Sequence, residues 1–258
     1  MVQKIYHKNP ILYWLGLVHL IFFLVLLVYY PFNNTLVLGI NAVIKPMKFA
    51  LSIWIYSWTM ALLLHYIKDT GKVKLYSWVA VMAMYFEQIA ITSQALQGEL
   101  SHFNTHNAYG IVVFALMGVF ILTITLWTAY IAFIFIKQKD YDIPPALVLG
   151  IKIGLIYFVI FSLFGGYISS LKGHTVGSID GGKGLPFLNW SRFFGDLRVA
   201  HFFGIHSLQI IPLFAFVILR YTQNSFSVKA VWIFATTYLM YVLFTMIQGF
   251  MGLPFSSI

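Results

Sequence analysis

Seven stretches of apolar residues constrain this chain more than any other feature of its sequence. They lie at about 11–30, 47–67, 75–97, 109–136, 146–170, 200–220 and 230–252. A helix needs roughly 20 apolar residues to cross the hydrocarbon core of a bilayer, so each stretch is long enough to form one span. The sequence therefore predicts an all-α fold, a polytopic membrane helical bundle of about seven transmembrane helices, which forms a single membrane domain over residues 1–258.

The composition agrees with burial in a membrane. Charged residues make up 9% of the chain, whereas a soluble domain carries about 25%. Most side chains must therefore face lipid or protein, and the lipid bilayer is the first predicted partner. The net charge of +9 is spread between apolar stretches instead of being clustered on one face, which argues against a nucleic-acid partner. There is no cysteine, so disulfides, thiolate metal sites and iron–sulfur clusters are excluded.

The basic residues between the stretches predict the orientation of the chain. One side of the membrane receives Lys4, Lys8, Lys68, Lys72, Lys74, Lys137, Lys139, Arg220 and Lys229, and the other receives Lys45, Lys48, Lys172, Lys183, Arg192 and Arg198. The first side carries more of them, in shorter connectors, and such connectors mark the cytoplasmic side. We therefore expect a cytoplasmic N-terminus, with a first helix that is retained and not cleaved as a signal peptide.

An acidic side chain lies inside the third stretch. Glu87, Gln94 and Ser101 are seven residues apart, so on a continuous helix they would form one stripe with a drift of about 20° at each step. A carboxylate within a span is costly to desolvate and is a functional hypothesis by default. We expect the stripe to face the interior of the bundle, with Glu87 near Lys45 or Lys48.

Histidines gather at the outer ends of the third and sixth stretches. On one helix, His201 and His206 would lie roughly 140° apart, so they need a ligand from elsewhere to share an ion. His102 follows the third stretch at the same predicted depth. We expect these three residues to meet at one site, where they would either ligate a b-type haem or a divalent metal ion or serve as structural hydrogen-bonding groups. His19 and His65 lie elsewhere and are interpreted as structural.

The connector between the fifth and sixth stretches, residues 171–199, is long and rich in glycine. Its segment Gly173–Pro186 contains His174 and Asp180, and its end leads into Asp196 and Arg198. Glycine permits tight turns and close approach of the backbone. We therefore expect an ordered cap over an outer polar site, and not a flexible tether.

Several motifs extend over most of the chain. They are Ile44–Ile53, Gln94–Gly98, Ser101-His-Phe-Asn104, His174-Thr-Val-Gly177, Asp180-Gly-Gly182, Gly184-Leu-Pro186 and Gly195-Asp-Leu-Arg-Val-Ala-His-Phe202. Together they resemble an uncharacterised bacterial family of multi-span membrane proteins. The resemblance implies a bacterial inner or plasma membrane and no particular activity. A histidine at the position of His106 does not recur in that family, which favours His102 over His106 as a ligand.

The first functional hypothesis is a membrane oxidoreductase or electron carrier. It would hold haem or metal between His102 and either His201 or His206, with a quinone, a lipid or another small molecule as its partner. The polar residues expected around these histidines are Lys45, Lys48, Glu87, Gln94, Ser101, Asn104, His174, Asp180, Asp196, Arg198 and Gln209.

Two other hypotheses remain open. In a transporter or small-molecule binding protein, Glu87, Gln94 and Lys45 would line a polar pathway, and the glycine-rich connector would act as a gate. In a membrane-embedded metal-dependent hydrolase, three histidines would hold zinc. That arrangement usually pairs two histidines four residues apart on a late span, whereas His201 and His206 are five apart.

Overall fold

The computed structural model describes residues 2–104, 107–182 and 184–256, and its regular structure is almost entirely helical. The helices are α1 (Val2–Lys8), α2 (Pro10–Tyr29), α3 (Ile44–Leu64), α4 (Thr70–Leu96), α5 (Ala108–Lys137), α6 (Pro145–Ser170), α7 (Arg198–Ile218) and α8 (Asn224–Phe250). A 3₁₀ turn covers Tyr30–Phe32, and the short strands are β1 (Leu36–Val37), β2 (Ile40–Asn41), β3 (Thr175–Val176) and β4 (Gly195–Asp196). Within the described residues, seven helices are long and apolar enough to cross a membrane. The all-α multi-pass fold is thus confirmed.

Some helices begin earlier than the apolar pattern predicted. The third span was expected from about residue 75, but α4 begins at Thr70 because the side chain of Asp69 accepts a hydrogen bond from the backbone N–H of Lys72 at 3.0 Å. This cap satisfies one of the free N–H groups of the first turn. The seventh span was expected from about residue 230, whereas α8 begins at Asn224. Hydropathy locates the membrane-crossing part of a helix, and polar first turns extend beyond it.

The chain divides into two compact units. The first contains the described residues as far as Ile124 together with Gly181 and Gly182, and the second contains the remainder from Thr125 onward. The boundary falls within α5, so this helix contributes its first half to one unit and its second half to the other. The single membrane domain inferred from the sequence stays a prediction.

In the first unit, polar caps and close contacts hold α2, α3 and α4 together. The side chain of Asn9 accepts from the N–H of Leu12 at 3.0 Å and donates to Ser77 Oγ of α4 at 2.8 Å. A Cβ atom on Gly16 of α2 would overlap the indole of Trp58, so glycine at this position allows α3 to pack against α2. Small residues allow this close approach of helices in membranes.

In the second unit, α6 packs against α7 through small residues. A Cβ on Gly150 would lie 2.8 Å from the Cβ of Ala215, and one on Gly154 would lie 3.0 Å from the backbone oxygen of Ser207. Ser207 also donates from Oγ to the carbonyl of Gly154 at 3.3 Å. The two helix backbones therefore approach each other closely, with Pro212 of α7 buried beside Gly154.

Candidate functional site

A buried polar stripe runs along α4 in the first unit. Glu87 is 1% exposed and Gln94 is fully buried, which confirms that this side of the helix avoids lipid. Helix α4 ends at Leu96, however, and Gly98 takes a positive φ of +72°. The third member of the predicted stripe, Ser101, is therefore buried in the following loop and not on the helix.

The loop after α4 returns its polar side chains to the protein interior. Asn104 is fully buried and donates from Nδ2 to Gln94 Oε1 at 3.0 Å and to Glu99 Oε2 at 3.2 Å. A Cβ on Gly110 of α5 would lie 2.5 Å from Cγ of Asn104, so only glycine leaves room for the amide. Phe103, which precedes Asn104, has a positive φ of +63°, so the backbone turns sharply at this residue. Asn104 thus joins the loop to the end of α4.

Lys45 and His102 meet in the same unit. Lys45 Nζ lies 3.1 Å from Nδ1 of His102, and Ser101 Oγ lies 3.2 Å from the same nitrogen. The imidazole is also surrounded by Phe49, with ring centroids 6.0 Å apart, and by Phe114 at the same distance. Because an ammonium group can only donate, Nδ1 of His102 is the acceptor and the neutral ring carries its proton on Nε2.

Glu87 lies about 13 Å along α4 from the C-terminal end of that helix, at a rise of about 1.5 Å per residue. Its Oε1 atom is buried and has no hydrogen-bond partner among the described residues. Lys45 is near enough for its positive charge to act on the carboxyl group. The neighbouring Gln88 donates to the backbone oxygen of Pro46 at 3.3 Å, which places the first turn of α3 beside this part of α4. Lys48, one turn further along α3, is partly buried.

Further polar groups lie along the same helices toward their other ends. The hydroxyl groups of Tyr56 and Tyr76 are hydrogen-bonded to each other, and Tyr76 is fully buried. His19 of α2 is 1% exposed and donates from Nδ1 to the carbonyl of Leu15 at 2.8 Å. The backbone of Met84 lies close to this ring without completing a hydrogen bond to Nε2. From the sequence, His19 is interpreted as structural because it lies away from the histidines at the ends of the third and sixth stretches.

The two histidines of α7 bond to groups of the second unit. His201 donates from Nδ1 to the backbone oxygen of Phe161 at 2.8 Å, and its ring lies against Gly165 of α6, where a Cβ would overlap it. His206 bonds through Nδ1 to Gln209 Oε1 at 3.2 Å, and its ring meets Phe202 edge-on with centroids 4.3 Å apart. His201 therefore attaches α7 to α6.

The connector before α7 is ordered by two carboxylates. Asp196 is 2% exposed and binds Arg198 through both oxygens, at 2.9 Å to Nε and 2.6 Å to Nη2. Asp180 accepts from the backbone N–H groups of His174 and Thr175, and its carboxylate lies 3.2 Å from Nδ1 of His174. Asp196 lies 3.8 Å from the same nitrogen.

Pairing of β3 with β4 brings these groups together, since Thr175 lies opposite Asp196. Burial alone would raise the pKa of Asp196, but the hydrogen bond and charge of Arg198, the charge of His174 and the N–H of Ser191 hold it below its usual value. These contacts hold part of the connector in an ordered arrangement within the second unit, and its role as a cap over an outer polar site stays a prediction.

The predicted site residues are divided between the two units. The first unit contains Lys45, Lys48, Glu87, Gln94, Ser101, His102 and Asn104, and the second contains His174, Asp180, Asp196, Arg198, His201, His206 and Gln209. A shared site of His102 with His201 and His206 stays a prediction, and His106 lies outside the described residues. In the part of the chain that the structure describes, no group of three or more histidine, aspartate or glutamate side chains is arranged to hold a metal ion.

No family model, curated protein or solved structure matches the chain.

Proposed function

We propose that the protein moves protons across the membrane through its first unit, with Glu87 as the group that binds and releases them. The observation that carries this proposal is the Oε1 atom of Glu87, which is buried inside a membrane-spanning helix and has no hydrogen-bond partner among the described residues. This is the transport hypothesis, with the proton as the species carried. Intramembrane carboxyl groups of this kind are typical of proton relays in pumps and transporters.

The surroundings of Glu87 bear on both its protonated and its ionised form. An ionised carboxylate that is buried without full hydrogen bonding is strongly unfavourable, so a neutral, protonated Glu87 is the natural resting form. Lys45 supplies a positive charge that stabilises the ionised form after the proton leaves. Burial favours the neutral carboxyl group and Lys45 favours the ionised one, and the proposal requires Glu87 to pass between these two forms.

Other polar groups lie on both sides of Glu87, about 10 Å away at Gln94 and about 15 Å away at Ser77 along the axis of α4. Gln94 and Asn104 lie toward one end of the helix, and Ser77 and Tyr76 lie toward the other. Hydroxyl and amide groups both donate and accept hydrogen bonds, as a proton path requires.

In the part of the chain that the structure describes, buried polar atoms without a hydrogen-bond partner are also concentrated in the first unit. They are His19 Nε2, Trp54 Nε1, Glu87 Oε1, Gln88 Oε1 and Gln94 Nε2, whereas Arg192 Nε belongs to the second unit. Buried polar groups are normally bonded, so such a concentration supports a functional path at this place.

The test is proton flux into liposomes that contain a trapped pH-sensitive dye. A potassium gradient with valinomycin sets the membrane potential, and native protein is compared with protein-free liposomes. We expect native protein to raise the flux and Glu87→Gln to return it to the protein-free level. Asp142→Asn, which removes an exposed acid, is the matched control and should conduct like native protein. Equal flux through native protein and Glu87→Gln would contradict the proposal.

A haem or metal site at the histidines is the second candidate. The observation in its favour is the hydrogen bond from Nδ1 of His201 to a backbone carbonyl, since metal-binding histidines are commonly oriented by such a bond. His102 is less suited in its present arrangement, because its acceptor nitrogen is already used by Lys45. An absorption spectrum of the purified protein tests this candidate: a Soret band lost in His201→Ala would support it, and a colourless, metal-free protein would exclude it.

A further inference from the structure

A groove lies in the second unit at the beginning of α6. Its volume is about 280 Å³, and it is lined by Lys139, Tyr141, Ile143, Pro145, Val148, Leu149 and Lys152. The lining combines two cationic side chains with an apolar remainder, and it contains no carboxylate. It therefore differs from the Glu87 site both in place and in charge.

Lys152 is the cation that requires an explanation. It lies seven residues inside α6, about 10 Å along the axis from the first residue of the helix. Its Nζ lies 5.5 Å from the centre of the Tyr141 ring. Within the described residues no salt bridge includes Lys152, although a cation at this depth needs a favourable partner.

Tyr141 forms a fixed wall of the groove and does not neutralise the lysine. Its hydroxyl donates to the backbone oxygen of Phe135, and the two rings lie 4.7 Å apart. Burial raises the pKa of Tyr141 to about 12, so the phenol stays uncharged at neutral pH. The nearest acids in the connector, Asp140 and Asp142, are exposed and do not line the groove.

An apolar track leads away from Lys152 along the same helix. Ile156 and Ile160 follow at intervals of four residues, and Leu163 comes three residues later, so all of them lie near one face of α6. Their side chains are 37%, 51% and 48% exposed. A positive end joined to an exposed apolar track has the chemistry that complements a phospholipid, with its phosphate at one end and its acyl chain along the other.

We propose that this groove binds an anionic phospholipid, with the phosphate between Lys139 and Lys152 and an acyl chain along Ile156 and Ile160. The charge count places the groove on the cytoplasmic side, where anionic lipids are enriched and basic pockets between helices bind their headgroups. A lysine inside the helix can reach such a headgroup by extending its stem toward the interface. The proposal is independent of the Glu87 site.

The test is native mass spectrometry of the full chain in detergent, titrated with phosphatidylglycerol. Lys152→Gln and Lys139→Gln should each lower the bound phosphatidylglycerol roughly fivefold, as expected for one lysine near a lipid headgroup. Lys74→Gln removes an exposed lysine at the predicted cytoplasmic end of α4 and should bind like native protein. Lys152→Arg keeps the charge and should retain the lipid, which shows that the position tolerates substitution.

Two further titrations distinguish a phospholipid headgroup from free inorganic phosphate as the bound group. Phosphatidylcholine should bind more weakly than phosphatidylglycerol, and a large excess of inorganic phosphate should leave phosphatidylglycerol bound. Lipid binding to Lys152→Gln equal to that of native protein would overturn the proposal. Displacement of phosphatidylglycerol by inorganic phosphate would overturn the assignment to a lipid and identify a free-phosphate site instead.

Discussion

Lys45 donates a hydrogen bond from Nζ to Nδ1 of His102 over 3.1 Å, and so joins the first turn of α3 to the loop that follows α4. The same lysine acts electrostatically on Glu87. One cation therefore links a residue of the loop to the carboxyl group inside the span. The Glu87 site therefore depends on the loop after α4 keeping its ordered conformation.

Gly110→Ala should disturb the loop by displacing Asn104. The added Cβ would lie 2.5 Å from Cγ of Asn104, and such overpacking costs about 1–3 kcal/mol. The free energy of unfolding in mixed detergent micelles measures the effect. Gly118→Ala is the control on the same helix, because no atom lies within 4 Å of its added Cβ. Equal stabilities of the two variants would show that Asn104 is not held as described.

Gly165→Ala should weaken the attachment of α7 to α6. Its Cβ would overlap the His201 imidazole, which is held by the bond to the Phe161 carbonyl. We expect a loss of about 1–3 kcal/mol in the free energy of unfolding. The adjacent Gly166→Ala places its Cβ in open space and should be as stable as native protein or up to about 1 kcal/mol more stable, because alanine favours a helix over glycine. A Gly165→Ala variant with the same free energy of unfolding as native protein would mean that the imidazole moves aside freely.

Acid should destabilise the second unit through Asp196. Because its pKa is lowered in the folded protein, its contribution is fully present above the unfolded value of about 3.9 and is lost as the pH falls from there through the lower folded value. Asp196→Asn should remove about 3 kcal/mol at neutral pH by leaving Arg198 without its buried partner. Thermal unfolding at stepped pH measures both effects, with Asp142→Asn as the exposed control. A pH profile that is unchanged in Asp196→Asn would contradict this role.

The orientation of the chain is tested by labelling introduced cysteines, and the absence of native cysteine gives a clean background. Ser178 and Thr70 are both exposed in the structure, and the charge count places them on opposite sides. A membrane-impermeant thiol reagent added from outside should label Ser178→Cys and leave Thr70→Cys unlabelled in intact cells. Labelling of Thr70→Cys alone would invert the predicted topology.

The seven spans were predictable because each is a continuous apolar run, and a bilayer leaves the backbone few alternatives to a helix. The interior position of Glu87 was also predictable from the unfavourable energy of a carboxyl group in lipid. Ser101 is buried as predicted, but its predicted place on the same helix was wrong, because the seven-residue spacing assumed that α4 continues past Gly98, where the backbone turns with positive φ.

Contacts between residues far apart in the chain were harder to predict from the sequence. The sequence linked Glu87 to Lys45 or Lys48, but no periodicity indicated that His102 would bond to Lys45 from a loop. In the same way, the bond of His201 to Phe161 depends on Gly165 of another helix. Such pairings are set by helix packing, which the spacing of residues along one helix does not encode.

The proposal depends on a proton held at Glu87, and infrared spectroscopy of the protein in lipid tests this most directly, because the carbonyl stretch of a protonated carboxyl group is separate from that of a carboxylate. We predict a protonated-carboxyl band in the native protein that shifts in D₂O. The band should persist in Asp142→Asn and be absent from Glu87→Gln. Spectra of native protein and Glu87→Gln that coincide over the whole pH range would contradict a proton held at Glu87.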